Sequence, residues 1–73
     1  MNLRDAVHSN AGTLGGTPVF VGTRVSVQSL FDYLEGGETL GEFLMQFPSV
    51  TREPAIVALG SARNLILAGA RTP

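Results

Sequence analysis

The sequence predicts a mainly α-helical domain, a three-helix helix-turn-helix unit preceded by a short pair of β-strands. Three observations carry this. Two runs repeat apolar residues at i, i+3, i+4 and i+7, the spacing of one helix face. Glycine pairs, a proline and capping residues punctuate the chain between these runs. A third, longer run follows the second after a connector of about four residues, "PSVT", which is the succession of a helix-turn-helix.

The strand pair comes first. Residues 18–21, "PVFV", and 24–27, "RVSV", are β-branched and aromatic, and Gly22-Thr23 between them fits a two-residue type II′ hairpin loop. An isolated hairpin is marginal in water. These strands therefore need helices beneath them or a second copy beside them, and we favour the second copy. The first helix opens at Ser26 as N-cap, presents Val27, Leu30, Phe31 and Leu34 on one face, and stops at Gly36-Gly37. The second opens with a capping box, Thr39 to Glu42, and repeats the pattern with Leu40, Phe43, Leu44 and Phe47 before Pro48 closes it. The third opens at Thr51, with Pro54 tolerated in its first turn. Ala55, Ala58, Leu59, Ala62, Leu65, Ile66 and Gly69 form a stripe that can cover the first two helices. Ile56, Gly60 and Leu67, with Arg63 among them, form a second strip that has no evident use inside one copy. Residues 1–14 read as a partly ordered arm, 15–70 as the single domain and 71–73 as a frayed tail.

Composition narrows the function. The chain has 73 residues, no cysteine and one histidine. Disulfides and thiolate metal sites are thus excluded, and subunit association is left as the means of reinforcing a small core. Charged residues make up 15% against 44% hydrophobic, an apolar surplus that also favours a partner surface. The net charge is −1 and all five cations are arginine, so a strongly basic nucleic-acid footprint is missing. The charges are unevenly placed. Asp32 to Glu42 carries four acids and no base, whereas 43–73 carries Arg52, Arg63 and Arg71 against Glu53. No run is long enough to span a bilayer, and the first ten residues lack a secretory h-region, so a cytoplasmic protein is expected.

No catalytic arrangement emerges. "GGTPVFVGTRVSV", residues 15–27, resembles a phosphate loop only in its glycines: the P-loop lysine and the G-x-G-x-x-G spacing are both missing. Asp32 and Glu35 share an exposed helix face, and His8 stands alone, so there is no base held against a nucleophile. We expect no enzyme, no cofactor, no metal and no small-molecule substrate. Two binding roles are left. Thr51 and Arg52 open the third helix, where recognition helices meet DNA, and Arg24 beside the hairpin turn could reach a phosphate. The competing reading makes Thr51 only a cap and Arg52 a solvated charge. For Arg24 we favour pairing with the acids at 32–42, since more acids than bases lie nearby. For protein contact the candidates are Val19, Phe20, Val21 and Val25 on the strand edge, with Ile56, Arg63 and Leu67 on the third helix. Val19, Val21 and Val25 could equally fill the small core.

"GGTPVFVGTRVSV" followed by "LEGGETLGEFLMQFPSVTREPAIVAL" resembles the bacterial and archaeal family called domain of unknown function 433. The resemblance covers residues 15 to about 67. Its most specific parts are Gly22-Thr23-Arg24 and the connector from Phe47-Pro48 to Thr51. It implies a homeodomain-like, sometimes winged, helix-turn-helix. It also implies an antitoxin of a type II toxin–antitoxin pair that neutralises a PIN-like nuclease toxin and binds operator DNA as autorepressor. Together with an apolar surplus that one small core cannot absorb, this makes a homodimer the expected state. Pro54 departs from the family's usual polar residue and removes a donor from the DNA-facing turn. The rival expectation is an interaction and dimerisation module that binds no DNA.

Overall fold

The computed structural model describes residues 1–9 and 16–70. Residues 10–15, which include part of the expected arm and Gly15, lie outside them, as does the expected tail 71–73. The elements in order are α1 (Leu3–Ala6), β1 (Val7–His8), β2 (Val19–Phe20), α2 (Val27–Glu35), α3 (Leu40–Gln46) and α4 (Arg52–Ala70). The domain is mainly helical, with a short antiparallel sheet ahead of the long helices.

The strand pairing is only partly the one expected. β2 pairs with β1 from the N-terminal segment, Val7 opposite Phe20 and His8 opposite Val19. On its other edge β2 makes only a single bridge, Val19 to Ser26. There the Phe20 amide donates to the Val25 carbonyl and the Val27 amide to the Pro18 carbonyl, both at 3.0 Å. Both edges of β2 are thus occupied within one chain, so pairing with a second copy through "PVFV" is corrected.

The turn is corrected as well. The Thr23 amide donates to the Phe20 carbonyl at 3.0 Å, making Val21 and Gly22 the central residues. Gly22 takes φ 78°, the left-handed value that a type II turn requires at its second central position, in place of the II′ turn expected. Thr23 then ties the loop. Its hydroxyl donates to the Phe20 carbonyl at 2.8 Å and accepts from the Val25 amide at 3.0 Å.

The N-terminal segment forms a turn of helix. Asn2 caps it by accepting from the Asp5 amide at 3.0 Å, and Asp5 accepts in return from the Asn2 amide. α1 packs against α4, and Ala6 between them is fully buried. The Val21 amide donates to the Ala6 carbonyl at 2.9 Å, so the segment is held by backbone as well as by packing.

The helix boundaries follow the expected local chemistry. Ser26 accepts from the Ser29 amide at the head of α2. At its end the Gly37 amide donates to the Leu34 carbonyl and the Glu38 amide to the Tyr33 carbonyl. That pair of bonds is a Schellman motif, and Gly37 at φ 92° supplies its left-handed residue. The Thr39–Glu42 capping box opens α3, with 3.0 Å bonds in both directions.

The core lies where β2, α2, α3, the connector and the first half of α4 converge on Phe20, Leu30, Phe43, Val50, Ala55 and Ala58. Phe43 is its centre, with ring centroids of Phe20, Tyr33 and Phe47 at 6.3, 5.6 and 5.1 Å. The stripe on α4 covers less than expected. Ala55 and Ala58 are buried and Leu59 and Ala62 half-buried, but Leu65 and Ile66 are 75% and 67% exposed. Length explains this. At 1.5 Å per residue α4, with 19 residues, runs to about 28 Å, roughly twice the length of α2. Its end therefore projects past everything it could cover.

Candidate interaction site

The residues proposed for contact fall into three places. Val19 and Phe20 are 3% and 1% exposed, so their assignment to an interface is corrected: β2 is closed on both edges, and Phe20 lies in the core with Leu30 and Phe43. A two-residue strand closed on both edges and both faces does not alternate inward and outward positions. Val25 is half-buried against the core, and Val21, at the turn, is 48% exposed. Arg24 is exposed on the same loop. It makes no hydrogen bond or ion pair among the described residues, so the expected pairing with the acids at 32–42 is corrected too. Thr51 and Arg52 are exposed at the head of α4, with Glu53 beside them.

The third place is α4 itself, which presents two different faces. Ile56 and Leu67 are about half exposed, at 49% and 48%. They flank a shallow depression formed by Ile56, Leu59, Gly60 and Arg63. The Arg63 guanidinium is held along the helix, donating to Asn64 Oδ1 at 3.3 Å. On the other side, Ala58, Ser61, Ala62 and Leu65 floor an apolar groove of about 610 Å³, walled by Leu3 and Val7 on one side and by Val27 and Phe31 of α2 on the other. Sequence reasoning did not find this groove. One wall comes from α1 and β1, too short to show periodicity, and the only trace of them was the Asn2-x-x-Asp5 capping pair.

The acidic stretch forms a separate hollow of about 520 Å³, where Asp32 and Tyr33 of α2 face Glu38, Glu42 and Gln46. Asp32 accepts from Gln28 Nε2 at 2.9 Å. A hydrogen bond with Glu42, reinforced by like-charge repulsion, raises the Glu38 carboxyl above its ordinary value of 4.5. The same bond, followed by the bonds from Thr39, lowers Glu42. The pair therefore titrates in two steps, Glu42 first and Glu38 later.

The two contributions to stability have opposite signs. Glu42 stabilises the fold above its unfolded value, and that contribution is lost as pH falls through its lowered folded value. The raised Glu38 favours the fold at low pH and loses that contribution as pH rises through its folded value. Carboxyl-carbon NMR titration of the wild type should show Glu38 above Glu42. Glu42→Gln keeps the capping acceptor and should return Glu38 towards its ordinary value. Added salt should shrink the separation, since both groups are exposed.

Among the described residues no group of three His, Cys, Asp or Glu side chains could hold a metal ion. No described helix is long and apolar enough to cross a membrane. The family model for "Protein of unknown function (DUF433)" matches residues 7–60. The chain belongs to the DUF433 family. No curated protein and no solved structure matches it. The DUF433 match runs from β1 to the middle of α4. It therefore takes in the sheet, the core and the head of the long helix, whereas α1 and the projecting end of α4 lie beyond it.

Proposed function

We propose that this DUF433 protein is a non-catalytic antitoxin that binds and neutralises a PIN-like nuclease toxin, with α4 as the toxin-binding element. The observation that carries the reading is the strip of Ile56, Arg63 and Leu67, half-exposed to exposed on the face of α4 turned away from the core. An exposed arginine between aliphatic residues suits a protein contact, since arginine is enriched at interfaces and a desolvated guanidinium is worth far more than one in water. The family resemblance supplies the kind of partner. Autorepression would use the head of α4, where Thr51 and Arg52 are exposed.

The reading expects a PIN-like nuclease gene beside this one, and the test is co-expression with its product. Wild type should restore growth and co-purify with the nuclease. Arg63→Ala and Ile56→Asp should lose both effects while keeping a native circular dichroism spectrum. Full neutralisation by both variants would refute the assignment.

A second reading, an interaction module that binds no DNA, is favoured by the acidic hollow between α2 and α3 and by the lack of lysine. Titration of the upstream DNA at two salt concentrations separates the two. Specific binding that weakens steeply with salt supports autorepression, and no binding supports the module.

A further inference from the structure

The end of α4 has the surface of a buried helix. From residue 54 to 70 its only charge is Arg63, and within "LILAGA", residues 65–70, no side chain is polar. A helix apolar around its whole circumference is normally enclosed. Here residues 63–70 are all exposed.

The chain as a whole is under-buried to match. It exposes 5053 Å², where a folded monomer of 7.7 kDa exposes roughly 4,300 Å². Its radius of gyration is 12.9 Å, against about 11 Å for a compact chain of this length. The excess of roughly 700 Å² is close to the ~800 Å² that each partner contributes to a standard interface.

Both halves of a complementary contact are present in one molecule. The apolar groove is concave, floored by the small residues Ala58, Ser61 and Ala62 and bounded at one end by Leu65. The helix end is convex and carries Leu65 and Ile66. The centres of the two lie on the same helix, some five residues or about 8 Å apart. A two-fold axis near Ala62 would therefore bring each end over the other copy's groove at once, as an isologous interface requires.

We propose that two copies of this chain pair through antiparallel α4 helices, the Leu65–Ile66 end of each seated in the other's groove between α1 and α2. The Ile56–Arg63–Leu67 strip faces away from this contact and stays open to another partner.

Sedimentation and light scattering of the full chain at micromolar concentration test this without toxin or DNA, so the result is independent of the antitoxin reading. Wild type should be a dimer. Leu65→Asp, at a position exposed enough in one copy to leave the fold intact, should weaken the dimer at least tenfold with unchanged helicity. The cysteine-free background allows a second test. Ser61→Cys, near the axis, should oxidise to a disulfide-linked dimer, while Ile56→Cys on the opposite face should not. A monomeric wild type, a Leu65→Asp dimer as tight as wild type, or cross-linking at position 56 in preference to 61 would each overturn the proposal.

Discussion

Phe43→Ala is expected to bring the domain close to global unfolding. Phe43 is fully buried and touches three other aromatic rings. The T-shaped contact with Tyr33 has an interplanar angle of 77°. Removing a buried phenylalanine costs about 3–5 kcal/mol in transfer and cavity terms. A domain of 73 residues has roughly 4–11 kcal/mol of stability in total. At about 4–8 °C per kcal/mol the midpoint should fall by roughly 12–40 °C. Thermal melts followed by circular dichroism read this directly. The chain's single tyrosine, Tyr33, packs edge-on against both Phe43 and Phe47, so near-ultraviolet dichroism should collapse with the helical signal. A drop of only a few degrees would mean that Phe43 is not the centre of the core.

Ala6→Asp should be nearly as damaging, although it lies outside the family match. Ala6 is fully buried between α1 and α4, and a carboxylate there has no partner. Burying a polar or charged group without one costs several kcal/mol, unless the segment that carries it detaches. Detachment is the cheaper outcome, because α1 and β1 can open as a local unit while the α2–α4 core stays folded. The expected cost is therefore about 2–4 kcal/mol, capped by the release of that unit. Amide exchange locates the effect. The Val21 amide, bonded to the Ala6 carbonyl, should lose protection along with Val7 and His8, while Phe43 and Ala58 keep most of theirs. Equal loss at all of these amides would show that the N-terminal turn is integral to the cooperative core.

What could be read from the residues was mainly local. Ser26, the Thr39–Glu42 pair, Gly37 and Pro48 act on backbone groups within a few positions of themselves, and each does in the structure what its chemistry dictates. The pairing of β2 could not be read in this way. Its partner Val7–His8 lies more than ten residues away, in two residues too few to show a period. The interface residues proposed on the strand shared that fault, since Val19 and Phe20 look like an edge only while β1 is unrecognised. Leu65 and Ile66 failed differently. Their spacing correctly marks a stripe along α4, but a period carries no information about where the opposing surface ends. Ile56 and Leu67, set apart because one copy has no use for them, are about half exposed.

The projecting end of α4 also bears on how long a single copy endures. An isolated helix shorter than about 12–15 residues is marginal in water, so residues 63–70 keep their helical form only as an extension of the anchored turns before them. Those turns would be the first of α4 to open, and a partner covering them would hold them in helix. Limited trypsin digestion at Arg63 should therefore slow when the end of α4 is covered.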